Sequence, residues 1–213
     1  MLTYGNPSRN YLPYLKTESY LDSLLGELAS YPFPNNNGQD VIDEINQLIN
    51  YTNTLSSDEV VQKRYKLYDT KFESYFVNVL TNVGLDRQEI IDTIKQIHDD
   101  VVPLIIKLKY HYQRVRPYQL SHILSMRLYP FESEAQTTNT PSYPSGHSIQ
   151  SKLYADVLGN KYPKYYKQLQ ALAADISESR LAMGIHYPSD VLFSEYVSEL
   201  VLNHPEFKKK YRL

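Results

Sequence analysis

Between residues 90 and 108 the apolar side chains Ile90, Ile91, Ile94, Ile97, Val101, Leu104, Ile105 and Leu108 recur at mostly three- and four-residue intervals. That is the period of one face of an α-helix, and a stripe this long must be buried against other apolar faces. Asp86 and Glu89 suit its first turn, and Pro103 is expected to kink it. Pro117 disfavours helical geometry at Arg116, so the helix is expected to end close to there.

The same period recurs along the chain. Leu21, Leu24, Leu25 and Leu28 mark a helix from a cap at Thr17 to about Ser30, and Val41, Ile42, Ile45, Leu48 and Ile49 mark a second. A capping-box spacing at Ser56 and Glu59 opens a third, over roughly 57–80. Further helices are expected near 118–127, 146–159, 163–183 and 188–203, with an irregular arm at 1–16 and loops at 31–38 and 129–145. The basic run at 208–212 reads as a solvated end. No segment alternates with the period of a strand. The expectation is one all-α domain, a helical bundle spanning residues 1–213.

Composition narrows the function classes. The net charge is -2, which disfavours bulk binding to nucleic acid or an anionic membrane. With no cysteine there is no disulfide framework, thiol nucleophile or thiolate metal site. No apolar run approaches the roughly 18 residues that suggest a membrane span. No signal peptide is legible at the start, so a soluble, cytoplasmic protein is expected. The 21 tyrosines read as amphipathic packing, a ring inside and a hydroxyl toward a polar partner.

Three short stretches carry chemistry. Lys109 and Arg116 are seven residues apart, two helical turns, which lets both face one pocket. Arg180 adds a third cation. Ser145 and Gly146 stand where a proline-bearing loop enters a helix, so N–H groups there suit an oxyanion, and Gly146 admits a close approach. These donors describe a cradle for a tetrahedral anion. His186 precedes Pro188, and Asp190 in the following first turn can reach back to it. An Asp on one imidazole nitrogen fixes the tautomer and frees the other nitrogen to attack. His186 is therefore the candidate nucleophile, Asp190 its orienter and His147 the candidate proton donor. Of the remaining residues, His111 and Arg114 read as solvated helix-face side chains, with the pocket mouth as the alternative, and His98, His122 and His204 read as surface or satisfied side chains. Asp99 and Asp100 lack partners at metal-ligand spacing, so no metal is expected.

The ordered set Lys109-x6-Arg116-Pro117, Pro144-Ser145-Gly146-His147 and Ser179-Arg180-x5-His186-x3-Asp190 resembles the type 2 phosphatidic acid phosphatase (PAP2) superfamily. The context of the second stretch, TPSYPSGHS, resembles its class A acid phosphatases. The resemblance implies an all-helical bundle and hydrolysis of phosphate monoesters through a phosphohistidine. It implies phosphate binding by Lys109, Arg116, Arg180, Ser145 and the Gly146 amide, with His147 as general acid and then base. No cofactor is implied, and the expected partner is a small soluble phosphate ester; a homodimer stays open. The alternative in the same family is a vanadate-dependent haloperoxidase, in which His186 would bind vanadium.

Overall fold

The computed structural model describes residues 3–34, 36–55, 58–128 and 137–213. Among these residues the regular structure is entirely helical. The α-helices are α1 (Leu12–Lys16), α2 (Leu25–Ala29), α3 (Gln39–Leu55), α4 (Glu59–Thr81), α5 (Arg87–Tyr112), α6 (Pro117–Ile123), α7 (Gly146–Lys161), α8 (Tyr166–Ala182), α9 (Pro188–Asn203) and α10 (Pro205–Tyr211). Short 3-10 turns, Tyr20–Leu24 and Pro163–Tyr165, lead into α2 and α8.

α7 packs most extensively against α8, and also against α9, α5 and α4. Its close fit to α8 depends on Gly159: a Cβ there would lie 2.5 Å from Cδ2 of the Tyr166 ring. The α5 stripe is buried as its period predicts, from Ile90 through Leu108. Tyrosines behave as amphipathic packing. Tyr143 stacks on Phe193 with ring centroids 4.4 Å apart, and Tyr112 sends its hydroxyl to the Leu28 carbonyl. A second apolar cluster, including Val41, Ile45, Val115, Leu120 and Tyr187, seats α3 over α6 and the start of α9.

The structure corrects several sequence expectations. α5 continues through Pro103 but stops at Tyr112, four residues before Arg116. Gln113 takes the left-handed conformation at φ 50° and returns its N–H to the Lys109 carbonyl, so the chain turns off the helix axis there. Arg116 therefore reaches the pocket from an extended segment that caps α6, not from two turns along one helix. The helix expected over 17–30 divides into a 3-10 turn and α2, and the arm at 1–16 contains α1. α4 starts at an Asp58 cap that accepts from Val60 and Val61 N–H; the Ser56 proposed as that cap lies outside the described residues, as do 129–136 of the long loop. The basic run at 208–212 exposes Lys208, Lys209, Lys210 and Arg212 as expected, but it is not an irregular end. It forms α10, with Phe207 buried and Lys210 and Tyr211 bonded to Asp100.

Candidate active site

A cavity of about 470 Å³ opens where α4, α5 and α7 meet the 137–140 segment, and its wall includes Lys109, Arg116, Gly146, His147 and His186. The N-terminal end of α7 faces it. The N–H of Gly146, the first helical residue, has no intrahelical carbonyl to reach. Arg180 lies just behind this wall, and Asp190 behind His186; both are fully buried.

His186 is held from two sides. Its Nδ1 lies 3.1 Å from Asp190 Oδ2, which also accepts the Tyr187 N–H at 2.9 Å. Its Nε2 lies 3.0 Å from Arg116 Nη1. A guanidinium can only donate, so Nε2 is the acceptor and the proton sits on Nδ1, facing Asp190. Burial, then the charges of Arg116, Lys109 and Arg180, push the imidazole pKa well below 6.5 and keep Nε2 unprotonated.

His147 lies across the cavity. Its Nε2 donates to the Asp69 main-chain carbonyl at 3.1 Å, and its ring packs on Phe72 with centroids 4.7 Å apart. Burial, then Arg180, drives its pKa well below 6.5, against the pull of Asp69.

The cations differ in how they are balanced. Arg180 Nη2 is paired with Asp69 Oδ1 at 2.7 Å and also donates to Thr137 Oγ1, while its buried Nε meets no acceptor among the described residues. Burial outweighs the pairing and lowers its pKa to about 10. Lys109 Nζ donates to the Pro141 carbonyl at 2.6 Å. Arg116 donates to the carbonyls of Thr140 and Ile185, both at 2.9 Å, and to His186. Neither Lys109 nor Arg116 pairs with a carboxylate among the described residues, although both are almost wholly buried. Burial first, then their mutual repulsion, drives the Lys109 pKa far down. An anion in the cavity would supply the missing charge.

Lys109, Arg116, Gly146, His147, Arg180, His186 and Asp190 thus converge, although Lys109 and Arg116 do so from separate elements rather than from two turns of one helix. Ser145 is placed differently. It is the N-cap of α7, where its Oγ accepts from Ser148 and its N–H donates to Ser194 Oγ at 2.9 Å, off the cavity wall. Sequence reasoning missed Asp69, whose only signal was a lone carboxylate beside Tyr65, Tyr68 and Phe72 on the inner face of α4. It also misplaced Arg114, which is buried behind Asp190 rather than on a solvated face or at the mouth, whereas His111 is exposed. No described helix is long and apolar enough to cross a membrane.

A bundle of helices that buries Lys109 and Arg116 without carboxylate partners beside an Asp-oriented imidazole has the chemistry to hold an oxyanion. The model of the PAP2 superfamily matches residues 99–204 of the chain. The chain is similar to the non-specific acid phosphatase of Salmonella typhi, with 35% identity over 89 residues, 42% of this chain and 34% of the relative. The non-specific acid phosphatase of Salmonella typhimurium strain LT2 is 34% identical over the same shares. The matched stretch thus spans about a third of the length of these curated relatives. Among solved structures, the transmembrane PAP2 type phosphatidylglycerolphosphate phosphatase of Bacillus subtilis aligns with a TM-score of 0.42 and 17% identity, covering 80% of this chain and 96% of that one.

Proposed function

We propose that this protein is a phosphatase hydrolysing small, soluble phosphate monoesters through a phosphohistidine. The observation that carries the reading is the pair of buried cations without carboxylate partners, Lys109 and Arg116, set against the unprotonated Nε2 of His186. The similarity to acid phosphatases supports it.

In this reading the phosphoryl oxygens take up Lys109, Arg116, the free Nε of Arg180 and the Gly146 N–H. Arg116 leaves His186 as it engages the anion. The Nε2 lone pair then attacks phosphorus, and the bond to the ester oxygen breaks as His147 protonates that oxygen. His147 rests neutral, so its proton is acquired on binding: a phosphate monoester has a second pKa of about 6 and brings a proton with it in mildly acidic solution. His186 now carries the phosphoryl group on Nε2 and keeps Nδ1–H on Asp190. Water attacks phosphorus, His147 takes its proton, and the P–N bond breaks to release phosphate. Ser145 contributes by capping α7 and so presenting Gly146.

The test is turnover of p-nitrophenyl phosphate with and without orthovanadate, followed by quenched-flow trapping of phosphate on His186. His186→Ala should abolish both turnover and the trapped phosphoenzyme while the far-ultraviolet circular dichroism stays helical. Near-wild-type turnover by that variant would exclude the covalent route. Bromide oxidation in orthovanadate and peroxide, with no ester hydrolysis, would instead favour the haloperoxidase alternative.

A further inference from the structure

Arg114 is buried completely behind His186, away from the cavity wall. Its donors are taken in several directions. Nη1 donates to Asp190 Oδ1 at 2.6 Å and to Ser189 Oγ at 2.7 Å, Nη2 to Glu44 Oε2 at 2.8 Å, and Nε to Asn36 Oδ1 at 3.2 Å. The guanidinium carbon also lies 3.8 Å from the centre of the Tyr187 ring. Glu44 uses its other oxygen to accept the Ser189 N–H at 2.7 Å. The result is a continuous relay, Glu44–Arg114–Asp190–His186, from α3 to the pocket. Its outer end, Glu44, comes from a helix outside the family-matched residues.

We propose that Arg114, clamped by Glu44, is a positioning residue that fixes Asp190 and divides its charge, so that Asp190 orients His186 without drawing a proton onto it. The proposal rests on His186 being the nucleophile. A carboxylate with no exposure needs a compensating charge. His186 is neutral and does not supply that charge, so Arg114 does. The two Asp190 oxygens have separate duties: Oδ1 meets Arg114, and Oδ2 meets His186 and the Tyr187 N–H. A carboxylate relieved of part of its charge still fixes the tautomer but draws less positive charge onto the ring. Arg114 thereby supports attack by Nε2 without touching the reacting atoms.

A plain packing role for the same network makes different demands. The groups facing His186 are Asp190 on α9, Arg116 after α5, Lys109 on α5, Arg180 on α8 and His147 on α7, and none of them is substituted in variants of Arg114 and Glu44. Removing the Arg114 cation leaves Asp190 uncompensated, so His186 holds a proton more strongly and the acid limb of kcat/KM moves to higher pH. Removing the Glu44 anion leaves Arg114 to neutralise Asp190 more fully, and the limb moves to lower pH. A packing staple gives no opposed shifts.

The experiment uses the full chain as wild type, Arg114→Gln, Arg114→Lys and Glu44→Gln. It reads kcat and KM on p-nitrophenyl phosphate against pH, orthovanadate inhibition, and the His186 titration by histidine-labelled NMR without substrate. Arg114→Gln should lose about tenfold to a hundredfold in kcat, as for loss of a group that orients a reacting one, with vanadate inhibition changed by less than about threefold. Arg114→Lys should recover part of that loss. The acid limb and the His186 titration should rise in Arg114→Gln and fall in Glu44→Gln. A folded Arg114→Gln with wild-type kcat overturns the proposal, and so do shifts of one sign in both variants. If Arg114→Gln does not fold, a wild-type pH limb and His186 titration in Glu44→Gln overturn it. A wild type that hydrolyses no phosphate ester counts against the phosphatase reading, while the His186 titrations still decide the role of Arg114.

Discussion

Arg116 Nη1 donates to His186 Nε2 across 3.0 Å, so the atom best placed to attack an electrophile is occupied by the group best placed to bind its oxygens. The same guanidinium is anchored through Nε to the Thr140 carbonyl and through Nη1 to the Ile185 carbonyl. A shift of one N–H from imidazole to phosphoryl oxygen both frees the lone pair and stabilises the charge that develops on phosphorus. Arg116→Ala should therefore cost about a hundredfold or more in kcat/KM on p-nitrophenyl phosphate, in line with losing a charge partner aimed at a transition state. Orthovanadate and phosphate inhibition should weaken in parallel. Inhibition constants that stay at wild-type values in a folded Arg116→Ala would place the anion elsewhere.

Gly146 gives a cleaner test, because the packing around it tolerates a side chain. A Cβ there would meet Ile105 Cγ2 at 3.6 Å and Lys109 Cε at 3.9 Å, both ordinary contacts. Gly146→Ala should keep its thermal midpoint, since alanine also favours the helix. The added methyl nevertheless stands at the cavity wall beside the first N–H of α7. Orthovanadate inhibition should weaken about tenfold, as expected when one oxyanion donor is obstructed. Unchanged inhibition would remove the Gly146 amide from the anion's ligands.

The parts of this site legible in the sequence were those that needed only residue type and order. Lys109, Arg116, His186 and Asp190 are readable because each is fixed by a short local pattern, and the α9 boundaries follow from Pro188 as its first residue. Asp69 was not legible, because its partner Arg180 is 111 residues away and no local rule links them. The geometry joining Lys109 to Arg116 was misread for a backbone reason. Gln113 is not a residue that announces a left-handed turn, yet it ends α5 and sends Arg114 and Arg116 in different directions. Arg114 looked like a solvated or pocket-mouth residue because its acceptors, Glu44 on α3 and Asp190 on α9, are brought together only by tertiary packing.

The buried histidines also tie stability to pH. Burial is the first cause that drives both His147 and His186 well below 6.5 in the folded chain. In the unfolded chain each titrates at about 6.5. As pH falls through that value the unfolded state binds more protons than the folded one, so folding stability declines, and it goes on declining until the folded pKa values are reached. The urea midpoint should therefore drop between about pH 7 and about pH 5, and the drop should be smaller in the His147→Gln, His186→Gln double variant. Equal drops in the two proteins would show that neither histidine is held neutral by the fold.

His147 separates acid catalysis from simple anion binding. Its ring packs on Phe72, and its Nε2–H is already committed to the Asp69 carbonyl, so the proton for a leaving group comes from the doubly protonated ring formed when the ester binds. An alkyl phosphate leaves as a basic alkoxide and needs that proton in the transition state; p-nitrophenolate needs it far less. General acid catalysis is worth about a hundredfold to ten-thousandfold. His147→Ala should therefore slow phosphoryl transfer to His186 much more on an alkyl phosphate than on p-nitrophenyl phosphate. His186→Ala should lose transfer from both alike. In the proposed mechanism His147 also activates water in the second step, so His147→Ala should show a burst of p-nitrophenol followed by slow turnover. Single-turnover rates on both substrates and a stopped-flow burst measurement provide the check. Equal losses on the two substrates with no burst would leave His147 as one more donor to the bound anion.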